Sequence, residues 1–206
     1  MTLEPTVFVV DDDPAMRQSM GALLSARGIR AESYSSAREF FAAFDPQKPG
    51  CVVLDLVLRG ENGLDVLEDL RSKPAHPPVI VLTAHGSIPT SVQALRGGAI
   101  DFIEKPMRPT SLVARIKEAF EIDARERRAR AQRSVVQQHA RSLSPRERDV
   151  ARLLMNGQRS KEIATHLGIS VRTVEGYRAR LLQKMEAGSV QHLVSMLLVS
   201  DVKLGE

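Results

Sequence analysis

The sequence predicts a doubly wound α/β domain on a five-stranded parallel sheet, then a helical linker and an all-α domain of four helices. Three observations carry this. Up to residue 120, short apolar runs alternate with amphipathic stretches, and three runs are nearly continuous in apolar residues, as strands covered on both faces must be. Residues 118–141, which include the linker expected at 121–141, are charged and rich in Ala, Arg, Gln and Glu with little Gly or Pro, which favours a helix over a floppy tether. From residue 142 the apolar positions recur at helical spacing between helix caps.

The strand candidates are Val7–Val10, Ala31–Tyr34, Cys51–Leu54, Val79–Leu82 and Asp101–Ile103. Helices are expected between them at Pro14–Ala26, Ala37–Ala43, Leu64–Ser72, Ile88–Arg96 and Pro109–Phe120. Asp13-Pro14 reads as an N-cap with proline at the first helical position, and Gly28 and Gly97-Gly98 fit helix stops. Five such βα units place their functional edge at the carboxyl ends of the strands. The last of these helices is expected to run on into the linker. In the second domain Ser144-Pro145-Arg146-Glu147 matches a capping box, opening a helix to about Asn156 that Gly157 closes. Further helices are expected over Ser160–Leu167, from a Ser170 cap through Met185, and over Val190–Val199, with Gly168 turning between the first two of these.

Composition narrows the function classes. A chain of 206 residues with 43% hydrophobic content is comfortable for two cored domains. Aromatics make up 4% and Trp is absent, which argues against recognition by base stacking. No apolar run approaches a membrane span, and Met1-Thr2-Leu3-Glu4-Pro5 does not read as a signal peptide. The single cysteine, Cys51, sits in a strand candidate and reads as a buried thiol; the expected compartment is a reducing cytoplasm. Net charge is +4, distributed as −1 over residues 1–117, +2 over 118–141 and +3 over 142–206, so a nucleic-acid partner is plausible at the C-terminal end.

The strand ends carry the chemistry. Asp11-Asp12-Asp13 follow the first strand, Asp55 the third, Thr83 the fourth, and Lys105-Pro106 the fifth. Carboxylates gathered at one sheet edge can hold Mg²⁺, a hard cation that takes oxygen ligands and keeps waters. Asp55 can attack an in-line phosphoryl group, while the Thr83 hydroxyl and Lys105 ammonium take phosphoryl oxygens. Val9-Val10-Asp11-Asp12-Asp13, Leu54-Asp55-Leu56, Thr83-Ala84-His85-Gly86 and Phe102-Ile103-Glu104-Lys105-Pro106 together resemble the CheY-like receiver domain of two-component response regulators, over residues 1–120. The resemblance implies Asp55 as phosphoacceptor and Mg²⁺ on Asp12, Asp55 and the backbone carbonyl of Val57. It also implies Asp11 as a supporting or water-mediated ligand, Asp13 as a cap, Phe102 as the switch aromatic, and a cis Lys105–Pro106 bond. Two departures stand out. Arg59 occupies a position where the resembling domains usually carry proline, so a looser loop beside Asp55 is expected, and Phe102 lacks the hydroxyl of a tyrosine. Val57 also has no polar group to orient a water near a phospho-Asp.

Residues 142–206 resemble the LuxR-type helix-turn-helix of FixJ/NarL regulators, through Leu143-Ser144-Pro145-Arg146-Glu147-Arg148, Lys161-Glu162-Ile163-Ala164, Leu167-Gly168-Ile169-Ser170 and Arg172-Thr173-Val174-Glu175. Gly176-Tyr177-Arg178 and Leu181-Leu182-Gln183-Lys184-Met185 extend the likeness. Ile163, Ala164, Leu167, Ile169, Val174 and Leu181 would lock two helices together, leaving the other face of the helix after Ser170 for the major groove. Spacing from Val174 turns Glu175, Gly176 and Ala179 toward the bases, with Arg178 nearby. Glu175 could accept from a cytosine amino group. Lys161, Arg172, Thr173, Tyr177, Arg180 and Lys184 are phosphate-contact candidates. Glu175 also fits a solvated charge and Tyr177 a core residue.

The whole reading is a FixJ/NarL-type response regulator that a sensor histidine kinase phosphorylates at Asp55. Phosphorylation would favour a homodimer through Ile88, Val92, Leu95 and the strand at Phe102, and that dimer would bind promoter DNA and act on RNA polymerase. No enzymatic turnover of an outside substrate is expected: an Asp-nucleophile phosphohydrolase places a second Asp where Val57 stands. A constitutive DNA-binding protein with a vestigial receiver is opposed by the full set Asp11, Asp12, Asp55, Thr83 and Lys105. An RNA-binding antiterminator is opposed by the helix-turn-helix spacing.

Overall fold

The computed structural model describes residues 4–84, 86–202 and 204, so Met1, Thr2 and Leu3 of the N-terminal stretch and His85 of the Thr83–Gly86 motif lie outside the described residues. The chain divides into two compact units, Met1–Glu126 and Arg127–Glu206.

The first unit alternates strand and helix: β1 (Thr6–Val10), α1 (Pro14–Ser25), β2 (Arg30–Tyr34), α2 (Ala37–Ala43) and β3 (Gly50–Leu54). A short hairpin, β4 (Val57–Leu58) and β5 (Glu61–Asn62), precedes α3 (Gly63–Arg71), β6 (Val79–Thr83), α4 (Ile88–Arg96), β7 (Asp101–Glu104) and α5 (Pro109–Arg141). The five long strands form one parallel sheet in the order β2-β1-β3-β6-β7, as the apolar runs predict. All five residues of β1, β3 and β6 are buried, because helices cover both faces. Phe8, Val10, Val52, Leu54 and Val81 point to one core, with Phe40, Leu67 and Leu70. Val7, Val9, Val53, Ile80 and Leu82 point to the other, with Met20, Leu24, Leu112 and Ile116.

The sheet order decides where the polar residues go. β1 and β3 lie side by side in register, Val10 opposite Leu54, so Asp11 and Asp55 leave adjacent strand ends. β6 lies beside β3 and β7 beside β6, with Thr83 opposite Glu104, which brings Thr83 and Lys105 to the same edge.

The hairpin is not predicted by the sequence. Its strands are two residues each, too short for any periodicity to show, and Gly60 closes the turn at φ 79°. Arg59, where the sequence predicts a looser loop, lies in the turn of this hairpin. Arg59 Nε meets Asp12 Oδ2 at 3.2 Å, and Glu61 Oε2 accepts from the Ala37 backbone N–H at 2.9 Å, tying the hairpin to β1 and to the start of α2.

The linker predicted at 121–141 is helical, as part of α5, and each end packs into one unit. Leu112, Ile116, Ala119 and Asp123 are buried with the sheet, while Val136 and Ala140 are buried in the second unit. Asp123 Oδ2 accepts from the Gly50 backbone N–H at 2.9 Å, at the start of β3.

In the second unit α6 (Pro145–Met155), α7 (Ser160–Leu167), α8 (Val171–Lys184) and α9 (Val190–Val199) fall close to the ranges the sequence predicts. Ser144 and Glu147 form the reciprocal capping box, Gly168 turns at φ 66°, and Ser170 and Ser189 cap the last two helices. Val150, Ile163, Val174, Leu181, Leu193 and Leu197 are fully buried in one core. No described helix is long and apolar enough to cross a membrane.

Candidate functional site

The acidic edge is built from four strand ends. Asp11 is buried directly after β1 and Asp55 directly after β3. Lys105, just after β7, donates to Asp11 Oδ2 and Asp55 Oδ2, each at 2.7 Å, so two carboxylates converge on one ammonium. Burial alone would lower the Lys105 pKa; its bonds to Asp11 and Asp55 outweigh that and hold it above the usual lysine value, so it stays cationic. Thr83, the last residue of β6, is fully buried at the same edge, and the Lys105 backbone N–H donates to its carbonyl at 2.8 Å. The Lys105–Pro106 bond is cis, as the receiver resemblance implies.

Neighbouring groups fix the carboxylates. The Asp13 backbone N–H donates to Asp11 Oδ1 at 2.9 Å, and the Val57 backbone N–H to Asp55 Oδ1 at 3.1 Å. Asp13 itself caps α1 by accepting from Ala15, which removes it from the pocket. Gly63 opens α3 against the Asp55–Leu56 peptide, where an added Cβ would stand 2.5 Å from the Asp55 carbonyl oxygen. Asp12 is more exposed and is drawn to Arg59. Among the described residues no three acidic, His or Cys side chains stand assembled as a metal cage. The donors are nonetheless all hard oxygens, which suits a hard divalent cation. Phe102 is half-buried and packs on the core cluster that includes Val81, while Val57 is 51% exposed.

In the second unit Lys161 on α7 and Arg172, Thr173, Glu175, Ala179 and Arg180 on α8 are exposed, and Gly176, Tyr177 and Arg178 are half-buried. Glu175 is not a loose surface charge. Ser160 Oγ donates to its Oε1 at 2.6 Å, and Arg178 Nη1 donates to Ser160 Oγ at 2.6 Å and to Glu175 Oε1 at 2.9 Å. Ser160 enters the sequence reading only as a helix start; it lies fifteen residues from Glu175, and no local pattern marks the pair.

Two other cations expected at phosphates also have partners within the domain. Lys184 donates to Glu147 Oε2 at 2.7 Å and to the Ser142 carbonyl at 3.3 Å. The Arg180 guanidinium lies 4.6 Å from the Tyr177 ring centroid, with its Nε 3.8 Å from Glu147 Oε1. Tyr177 packs against the domain core, the second of its two sequence readings.

Residues 7–117 match the family model described as "Response regulator receiver domain", and residues 141–197 match "Bacterial regulatory proteins, luxR family". The chain is 41% identical to the transcriptional regulatory protein FixJ of Azorhizobium caulinodans, over 95% of this chain and 93% of that one. It is 35% identical to FixJ of Bradyrhizobium diazoefficiens, over 96% and 97%. Among solved structures, the response regulator StyR matches at 35% identity with a TM-score of 0.80, covering 95% of this chain and 98% of that one. Full-length FixJ from B. japonicum matches at 35% identity with a TM-score of 0.57, covering 97% and 98%. On this joint match of both halves, the chain belongs to the two-component response regulators, as a transcription regulator that couples a receiver domain to a LuxR-type DNA-binding domain.

Proposed function

We propose that Asp55 is the phosphoacceptor and that its phosphorylation by a sensor histidine kinase drives dimerisation and promoter binding in the cytoplasm. The observation that carries this reading is the convergence of Asp11 and Asp55 on Lys105 at one sheet edge. A Lys105 ammonium already beside the Asp55 oxygen is placed to take one oxygen of an incoming phosphoryl group, and Thr83 to take another. In the transfer an Asp55 oxygen attacks phosphorus, a P–O bond forms, and the P–N bond to the kinase histidine breaks, leaving the imidazole to take up a proton. Asp11, Asp12, Asp55 and the Val57 carbonyl would hold Mg²⁺, which would neutralise charge on the transferring oxygens. Asp55 is thus modified rather than turning over an outside substrate.

The transmission step follows from residues next to the pocket. Thr83 drawn toward a phosphoryl oxygen shifts β6, against which Phe102 packs, and so biases α4. On α4, Ile88 is 82% exposed and Leu95 49%, and with Val92 they form an apolar face suited to a second copy of the chain. In the DNA-binding domain α8 enters the major groove, with Glu175, Gly176, Ala179 and Arg178 toward the bases and Lys161, Arg172 and Thr173 toward phosphates. The bound dimer then acts on RNA polymerase.

The test measures dimerisation and promoter-fragment binding with and without beryllofluoride and Mg²⁺, beside Asp55→Ala. Binding that strengthens only when Asp55 is present supports the phospho-switch. Equal binding by both proteins under all conditions overturns it.

A further inference from the structure

We infer that Arg59 is a built-in counter-cation for Asp12 that must be displaced for Mg²⁺ to bind, and so raises the Mg²⁺ concentration at which the receiver becomes competent. The inference rests on the metal reading proposed above. Three carboxylates stand at the edge, Asp11, Asp12 and Asp55, and two cations already serve them. Lys105 takes Asp11 and Asp55 from within the fold. Arg59 takes Asp12 from outside, its side chain 85% exposed at the turn of the β4–β5 hairpin.

The geometry makes Arg59 a removable partner. Gly60 closes the turn, and the hairpin base is held by the Glu61–Ala37 bond and by the Gly63 backbone N–H, which donates to the Leu56 carbonyl at 2.9 Å. The guanidinium can therefore swing into solvent while the hairpin stays in place. Its single bond to Asp12, at 3.2 Å through Nε, lacks the two-pronged geometry that makes such pairs strong. A divalent cation that needs the same oxygen competes directly with it. Exposed pairs of this type contribute little, so the expected effect is an affinity shift of about three- to fivefold, a threshold setting rather than a block.

The experiment titrates MgCl₂ into the full chain by calorimetry at low ionic strength. It compares wild type with Arg59→Ala, with Arg59→Gln, which keeps a side chain of similar reach without the charge, and with Arg17→Ala. Arg17 is the control for a general field effect: its Nη1 donates to the Asp11 backbone carbonyl at 2.7 Å rather than to a carboxylate. Tighter Mg²⁺ binding in both Arg59 variants, with a clearly smaller change in Arg17→Ala, is the expected result. Unchanged affinity in the Arg59 variants, or an equal gain in Arg17→Ala, overturns the inference and leaves the metal reading standing. Absence of Mg²⁺ binding in wild type and variants alike removes the metal reading itself, and the inference with it.

Discussion

Glu147 is a carboxylate held at 3% exposure by Ser144, Lys184 and Arg180, and its environment gives a signed pH dependence. Burial alone would raise its pKa; the bonds from Lys184 and from the Ser144 backbone and hydroxyl outweigh burial and hold it below the usual glutamate value. A depressed carboxylate contributes stability that is complete above its unfolded pKa and is lost as pH falls through the lower folded one. Denaturant melts of wild type should therefore lose stability on acidification below the normal glutamate range, and Glu147→Gln should show a smaller loss there. Glu147→Ala also removes half of the α6 capping box, for a total of about 2 kcal/mol at neutral pH. At Val57 the prediction is kinetic. A Val57→Asn change puts a hydrogen-bonding group beside Asp55, and the phospho-Asp lifetime should shorten; an unchanged lifetime in a dephosphorylation time course counts against it. Most of the pocket is legible at this scale because Asp11, Asp55 and Thr83 each sit at the end of an apolar run and Lys105 lies just past the fifth strand. The pairing of Arg59 with Asp12 is not, since forty-seven residues separate them and the local sequence marks position 59 only by its lack of proline.

α8 carries stability on its inner face and, in the proposed reading, recognition on its outer one. Val174 and Leu181 are fully buried on its inner face, and Leu181→Ala should cost about 2–5 kcal/mol by the cavity it leaves. On the outer face two variants separate two kinds of contact. Arg172→Ala should weaken binding evenly across DNA sequences and lower the salt slope by about one. Glu175→Ala should instead relax preference at one base pair, by about 1–3 kcal/mol, in a binding series over single-base variants of the site. Because Ser160 and Arg178 hold the Glu175 carboxylate, Ser160→Ala should relax the same base without itself reaching DNA. Helices such as α6 and α8 are readable from sequence because Ser144 and Ser170 each announce a start before an apolar stripe. The β4–β5 hairpin is not, because its strands are shorter than one period of alternation and its anchor on Ala37 lies in another element.

Across the whole molecule the three buried clusters share no residue, and α5 contributes side chains to one of the two on the sheet and to that of the second unit. The two-domain plan follows from composition, but the place where one unit gives way to the other does not. Asp123 looks like any charge in a helical run until the fold brings it to Gly50, seventy-three residues away. Asp123→Ala in the full chain should cost about 1–3 kcal/mol in chemical denaturation, because the buried Gly50 N–H loses its acceptor. The same corner holds the only cysteine. Cys51 follows Gly50 in the centre of the sheet, fully buried, and burial, aided by the nearby Asp123 charge, keeps its thiol far from ionising. A thiol reagent can thus reach it only when the receiver opens. Its labelling rate is a stopwatch for that opening, with no background from any other sulfhydryl. Whatever binds the native acidic edge should slow the stopwatch in proportion to its occupancy, so the chain carries its own readout for ligands of the pocket.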